Sequence, residues 1–461
     1  MNEKLEKFSE YINGKTVALI GAGVSNMAAV DFLLSRGARL TVRDKQEDAE
    51  KAALLASKGV KTVFGEGYLA DMSEDVLFKS PGIRPDVPEI AAAAARGSVL
   101  TSEMEVFLAL CPCKIYAVTG SDGKTTTTTL VSEILKKEYE KRGTGKVYLG
   151  GNIGTPLLPF LPEMSACDAA VVELSSFQLF AMSAHVNTAI VTNVTPNHLN
   201  WHVDMEEYIL AKAKIFENHT ACDRVVLNAE NDVTRAFAEK AKGEITFFSS
   251  QRKPKGKSIY LDGDEIFHND GEKLTHVISR ADIKIPGIHN VENYMAAIAA
   301  TWGDVSLSSV LEVARGFGGV AHRIELVREH MGVKYYNSSI DTSPTRTAAA
   351  LNSFKEKLIV IVGGYDKKIP LEPLVPLLTE HAKFISATGA TGEKIMKLML
   401  DSGYPCDKIV YTKEFDGAFR AAVNAASEGD TVILSPACAS FDAFKNFETR
   451  GNCFKELVNA L

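Results

Sequence analysis

The chain has 461 residues, 46% of them apolar and 24% charged, with a formal net charge of −7. That length exceeds one hydrophobic core, so two to four domains are expected, and the acidic balance argues against nucleic acid as the main partner. No apolar run is long enough to span a bilayer and the charged start MNEKLEKFSE has no signal core, so the expectation is a cytosolic protein with no membrane partner.

The first unit opens on an apolar strand over 16–20, then Gly21-Ala-Gly23-Val24-Ser25-Asn26, then an apolar helix to about Ser35. A second strand over 39–42 ends at Asp44. This is a βαβ unit with most of a dinucleotide fingerprint. Asn26 stands where the third glycine belongs, which points to a nucleotide other than NAD in the same crevice. Ser80-Pro81-Gly82-Ile83 closes another short apolar run and reads as a second ligand loop or as a tight turn. Seven cysteines, an odd number, read as reduced thiols. Cys111 and Cys113 have no second pair at metal-ligand spacing, which argues against zinc.

The second unit carries the most specific signal. A buried strand over 115–118 runs into Val118-Thr-Gly120-Ser121-Asp122-Gly123-Lys124-Thr125-Thr126, and a helix over 124–137 follows. Small residues let backbone N–H groups approach a polyphosphate, the helix N-terminus adds partial positive charge, Lys124 meets the β/γ-phosphates and Thr125 offers a hydroxyl to Mg²⁺. The match to G-x-x-x-x-G-K-[ST] is incomplete, since Val118 holds the first glycine position. Further strands are expected over 147–149, 169–174, 188–194 and 224–228, each followed by polar punctuation that should line one edge of a parallel sheet: Gly151-Asn152-Ile-Gly154, Glu173-Leu-Ser175-Ser176, and Asn193-Val-Thr-Pro-Asn197-His198. The polar stretch 249–282 reads as hairpins or a surface excursion.

Glu173 ends a strand that should be central, where a carboxylate is costly unless it meets a cation or water, so it reads as an Mg²⁺ ligand opposite Thr125 ahead of a helix cap. His198 is open between ligand and turn chemistry. Lys212 lies on a helix face with Tyr208 and Phe216; it either snorkels to solvent or, desolvated, has a nucleophilic neutral amine able to add CO₂ and become a carbamate ligand. Asn290 and Asn293, on a first helical turn, either present amides to a purine edge or, for Asn290, cap the helix. Arg323 follows the Gly318-Gly319 pair, where a hinge would let its guanidinium reach phosphate. A third α/β unit follows His322-Arg323, with strands over 358–362, 384–387, 409–411 and 431–434.

Together T-G-S-D-G-K-T at 119–125, G-G-N-I-G at 150–154, E-L-S-S-F-Q at 173–178, N-V-T-P-N-H at 193–198, A-K at 211–212, G-I-H-N at 287–290, H-R at 322–323 and L-S-P-A-C-A-S-F-D-A-F-K-N-F at 434–447 resemble the Mur ligase family of peptidoglycan synthesis. The resemblance covers essentially the whole chain. It implies three α/β domains: a Rossmann-like UDP-substrate domain over 1–112, a P-loop NTPase-like central domain with a parallel sheet over 113–320, and a Rossmann-like amino-acid domain over 321–461.

The same resemblance implies an ATP-dependent amide ligase that adds D-glutamate to UDP-N-acetylmuramoyl-L-alanine through an acyl phosphate, as a monomer. Gly120, Ser121, Asp122, Gly123, Lys124, Thr125 and Thr126 would bind the ATP phosphates, Asn290 and Asn293 adenine, and Arg323 a phosphate. Two Mg²⁺ ions are implied, one on Thr125 and Glu173, the other on His198 and a carbamylated Lys212. Val24, Ser25, Asp44, Ser80, Pro81 and Gly82 would meet UDP, with Asn152, Ser175 and Gln178 along the substrate channel. Lys367, Ser440, Phe441 and Phe447 would lie near D-glutamate and the transferred phosphate.

The chain departs from the family pattern at Asn337-Ser-Ser-Ile340-Asp341-Thr342, where a lysine expected to meet D-glutamate falls on Ile340, leaving Arg346 or Lys368 as substitutes. It also carries Asn197 where aspartate is usual. The rival readings are a family member using another amino acid or a folylglutamate-type acceptor, an NAD-dependent oxidoreductase, and a non-catalytic nucleotide-sugar binder.

Overall fold

Runs of buried apolar residues form three sheets in the computed structural model, which describes residues 2–199, 201–367 and 369–461. The first contains β1 (Thr16–Ile20), β2 (Arg39–Asp44), β3 (Lys61–Phe64), β4 (Val76–Lys79) and β5 (Val99–Thr101) in the order β3-β2-β1-β4-β5. All its pairings are parallel. Val17 to Ile20 are fully buried, as strands covered by helices on both faces require. The order reverses between β1 and β4, so the turns after both strands share a crevice, and Ser80 N–H donates to Ile20 O at 2.9 Å.

Asn26 accounts for the lost third glycine. Its buried Nδ2 donates to Ile20 O (3.0 Å) and Gly21 O (2.9 Å), with longer bonds to Phe78 O and Ser80 Oγ (both 3.3 Å). A polar staple replaces the close helix–strand contact that glycine would permit.

The second sheet contains β6 (Lys114–Thr119), β7 (Val147–Gly151), β8 (Ala169–Glu173), β9 (Thr188–Val191), β10 (Arg224–Asn228), β11 (Glu244–Ser249), β12 (Ser258–Asp262), β13 (Glu265–Asn269) and β14 (Leu274–Ser279). Its order is β14-β13-β12-β11-β10-β9-β6-β8-β7, with β6 central between β8 and β9. The polar stretch does form hairpins, but they are not detached: β12 joins β11 in parallel, and β13 and β14 extend the sheet antiparallel. The third sheet contains β15 (Glu325–His330), β16 (Val333–Asn337), β17 (Leu358–Gly363), β18 (Ala382–Thr388), β19 (Ile409–Thr412) and β20 (Thr431–Leu434), ordered β15-β16-β20-β17-β18-β19. Only β15 runs antiparallel to its neighbour.

The chain divides into two compact units: residues up to Asp282 with Val291–Ala314 hold the first two sheets, and Ile283–Asn290 with Arg315–Leu461 hold the third. Among the described residues no helix is long and apolar enough to cross a membrane.

Within the first unit, Glu103 opens the helix Glu103–Leu110 and accepts a hydrogen bond from Leu158 N–H at 3.1 Å, capping the 3-10 turn Leu158–Glu163. Only 3% of Glu103 is exposed, and burial pushes its carboxyl from 4.5 up to about 7, against the pull of the Leu158 and Leu157 amides. Between those values the folded chain holds more protons than the unfolded one, so this group stabilises fully below 4.5 and its contribution is lost as pH rises through about 7. Relative to Glu103→Gln, the wild-type chain should lose stability in denaturant titrations between pH 4.5 and 7. An unchanged difference across that window would contradict this assignment.

Candidate functional site

The loop after β6 holds the densest chemistry. Gly120 has φ 150° and Gly123, which caps the helix Lys124–Arg142, has φ 76°. A Cβ on Gly120 would collide with Thr192 Oγ1, the hydroxyl that donates to Asp122 O at 2.6 Å. Glycine is therefore required twice over, by backbone angle and by space. Asp122 N–H donates to Asn193 Oδ1 at 2.9 Å. The buried Ser121 hydroxyl bonds Thr195 N and O and pairs with Tyr208 OH, each at 2.9 Å, so Ser121 offers a ligand its backbone rather than its side chain.

Two lysines meet on one oxygen here. Gly120 O accepts from Lys124 Nζ at 3.0 Å and from Lys212 Nζ at 2.7 Å, while Lys124 also donates to Ser121 O at 3.0 Å. Lys212, in the helix Met205–Ala213, is 1% exposed, with Nζ 4.6 Å from the centre of the Tyr208 ring. Burial, then the charge of Lys124, pushes its ammonium down to about 7. The structure thus resolves one alternative left open by the residues: Lys212 does not snorkel to solvent.

Beside the loop, buried Glu173 ends β8, its Oε2 accepting from Thr125 Oγ1 at 2.8 Å and its Oε1 from Asn152 Nδ2 at 2.7 Å. Thr125 and Glu173 form a hard-oxygen donor pair suited to Mg²⁺. Among the described residues no group of three or more His, Cys, Asp or Glu could hold a metal. The cap after β8 is Ser175, not Glu173, and Gln178 closes a capping box by accepting from Ser175 N (2.9 Å) and Oγ (3.0 Å). His198 sits in a left-handed turn (φ 56°), its ring 4.9 Å from Phe177 and 6.4 Å from Tyr208. Burial, then Lys124 and Lys212, lowers its pKa and favours the neutral imidazole a ligand needs.

Asn293 lies against the phosphate loop: its Oδ1 accepts from Thr127 Oγ1 at 3.1 Å and is 2.5 Å from where a Gly123 Cβ would stand. Asn290 is the third residue of the helix Ile288–Thr301, so it is not the cap, and its Nδ2 donates to Pro286 O at 2.5 Å.

In the crevice of the first sheet, Asp44 Oδ2 accepts from Ala22 N–H at 2.6 Å, bracing the glycine turn, and Ser80 Oγ donates to Gly21 O at 3.3 Å. Val24 is 75% exposed at the start of its helix, with Ser25 next to it. Pro81 and Gly82 follow β4, and Gly82 O accepts from Trp201 Nε1 at 3.0 Å. Sequence reasoning missed the groups around that bond, Arg84, Trp201, His202 and Glu207, because the bonds that join them to the loop after β4, Arg84 to Glu207 and Trp201 to Gly82, span distant parts of the sequence.

In the second unit, exposed Lys367 follows β17, while Ser440 and exposed Phe441 follow β20. Phe447 begins the helix Phe447–Asn459, and its carbonyl accepts from Ser339 Oγ at 2.8 Å. Arg323 is half-buried between His322 and Ile324, both left-handed (φ 63° and 46°). In the altered segment, Asn337 and Asp341 face inward. Asn337 Nδ2 pairs with His322 Nδ1 at 3.0 Å, and Asp341 Oδ2 accepts from Ser435 Oγ at 2.8 Å. Burial pushes the Asp341 carboxyl up to about 6. Arg346 Nη1 donates to Ile340 O at 3.1 Å; Lys368 lies outside the described residues.

Three family models match in chain order: the MurD-like N-terminal domain of Mur ligases over 15–102, the Mur ligase middle domain over 118–301, and the Mur ligase glutamate ligase domain over 322–438. The chain is 49% identical to the UDP-N-acetylmuramoylalanine--D-glutamate ligase of Acetivibrio thermocellus and 46% identical to that of Ruminiclostridium cellulolyticum, each over 100% of both chains. The chain belongs to the Mur ligase family. Its fold is shared with the solved UDP-N-acetylmuramate-alanine ligase MurC of Thermotoga maritima, at TM-score 0.59 and 21% identity over 97% of this chain and 99% of that one.

In this Mur ligase the Gly120 turn does not accommodate a side chain without moving Thr192. Gly120→Ala should weaken ATP binding by about tenfold or more, since the displaced carbonyl holds both lysines, while circular dichroism stays that of the wild type. ATP affinity equal to wild type in calorimetry would contradict the role given to this turn.

Proposed function

We propose that this Mur ligase joins the amine of D-glutamate to the carboxylate of UDP-N-acetylmuramoyl-L-alanine, converting ATP to ADP and phosphate. The relatives' names and the glutamate ligase domain model support this choice of substrates. The observation that carries the ATP half is Lys124 on the Gly120 carbonyl next to the Thr125–Glu173 pair, a cation beside a hard-oxygen pair that a Mg²⁺-bound triphosphate matches.

A carboxylate is a poor acyl donor. Its oxygen therefore attacks the γ-phosphorus, ADP leaves, and an acyl phosphate results. The amine of D-glutamate then attacks the acyl carbon, sheds a proton, and the tetrahedral intermediate expels phosphate. Lys124 and the amides of 120–126 bind and orient the phosphates, with Asn290 and Asn293 on adenine and Arg323 on a phosphate. Thr125 and Glu173 would hold one Mg²⁺, and His198 with Lys212 a second. Bound there, the metal supplies charge neutralisation on the transferred group.

The depressed pKa of Lys212 supports a neutral amine that adds CO₂, loses a proton and becomes an anionic carbamate ligand. Val24, Ser25, Asp44 and Ser80–Gly82 would receive UDP, and Asn152 the muramoyl peptide beside the Ser175–Gln178 box. Lys367, Ser440, Phe441 and Phe447 would receive D-glutamate and the phosphate. Domains over 1–112, 113–320 and 321–461 would carry these three tasks, and the same reading makes the enzyme a cytoplasmic monomer. Water must be kept from the acyl phosphate, which hydrolyses readily.

Phosphate release from ATP should require both UDP-N-acetylmuramoyl-L-alanine and D-glutamate, and should slow in CO₂-depleted buffer and recover with bicarbonate. Equal turnover with L-glutamate, L-lysine or meso-diaminopimelate would reassign the amino acid. A rate indifferent to CO₂ would remove the carbamate.

A further inference from the structure

Arg84, four residues beyond Ser80, reaches from the loop after β4 into the second sheet's machinery. Its Nη1 donates to Glu207 Oε1 and to Trp201 O, both at 2.9 Å, and its Nη2 to Glu207 Oε2 at 3.2 Å. The guanidinium lies 4.9 Å from the ring centres of both Phe180 and Trp201, while Trp201 Nε1 returns a bond to Gly82 O at 3.0 Å. Asp86 already accepts from Nε and Nη2, at 2.9 and 2.8 Å, so neutralising the cation does not require Glu207. A two-pronged Arg–carboxylate contact backed by two aromatic faces fixes direction as well as distance.

What Arg84 grips matters for the chemistry. Glu207 sits in the first turn of the helix whose last turn carries Lys212. Glu207 Oε1 also pairs with His202 Nδ1 at 3.0 Å, and His202 Nε2 with Ser176 Oγ at 3.0 Å. The backbone N–H groups of Trp201 and His202 both donate to His198 O, at 3.0 and 3.1 Å. One cation therefore spans the candidate UDP loop, the His198 turn and the Lys212 helix, all within one compact unit.

We propose that Arg84 is a positioning residue that ties the nucleotide loop 80–84 to the Lys212 helix and the His198 turn, so that UDP binding at the first sheet orders the phosphate-transfer groups of the second. This rests on the reading of 80–82 as a UDP contact. Arg84 touches no reacting atom; it acts through Glu207 and Trp201.

Two measurements on the full chain test this. In amide hydrogen exchange, UDP alone should raise protection over both 80–84 and 205–213 in the wild type, but only over 80–84 in Arg84→Ala. In steady-state assays Arg84→Ala should lower kcat by about tenfold or more, with KM for ATP within about twofold, because a catalytic group is misplaced rather than a binding contact removed. Arg84→Lys, which keeps charge without the fork, should fall between. Glu207→Gln preserves shape and should reproduce the exchange pattern of Arg84→Ala, keeping the test open if that variant folds poorly. Protection at 80–84 with an unchanged 205–213 response in the variants overturns the coupling alone. No protection at 80–84 in the wild type defeats the UDP reading and the coupling with it.

Discussion

Two ammonium groups share one backbone oxygen, that of Gly120, and the central site is built around that contact. One of them, Lys212, is buried almost completely, and both burial and its neighbour Lys124 work against its charge. Like charges held together in a dry place are costly unless something anionic joins them. A polyphosphate bound on the loop relieves both lysines, and so does conversion of Lys212 to a carbamate, which turns a repelled cation into an anion. Once Lys212 is a carbamate, the positive charge beside the triphosphate is left to Lys124 and to the metals that the proposed reading places there.

The contact exists because several constraints of different origin agree. The parallel sheet places the ends of β6, β8 and β9 side by side, which gathers the phosphate loop, Glu173 and the Thr192–His198 segment onto one edge. Gly120 allows a backbone turn that a side chain would block against Thr192. Ser121 and Tyr208 join the loop to the helix bearing Lys212 through one hydroxyl–hydroxyl bond. Arg84 fixes the other end of that helix. Each of these places the ends of long, flexible lysines, and binding energy is then not lost on ordering them during the reaction.

Much of this could be read from the residues, and the boundary is physical. Strand, glycine loop and helix around 115–137 carry local signals, as do the buried runs of β8, β9 and β10, so their positions and the polar residues after them were legible. The edge strands β3, β5 and β15 were missed because their side chains are mostly half-buried and show no sustained apolar run. Lys212 between two aromatics is equally compatible with a solvated stem and a desolvated amine until its neighbours in space are known. Gln178, which the resemblance puts along the substrate channel, also closes a helix cap through its Oε1, a role that the sequence reading did not assign. Glu103 and Arg84 gave no signal, since their partners lie 55 and 123 residues away in sequence.

The claim that the Gly120 cradle receives the triphosphate is tested most directly by titrating Mg²⁺-ATP calorimetrically into the wild-type enzyme and into Lys124→Met. The account predicts that the variant binds ATP at least about tenfold more weakly, the equivalent of one charged hydrogen bond, while its affinity for UDP is unchanged. ATP affinity equal to that of the wild type would contradict it.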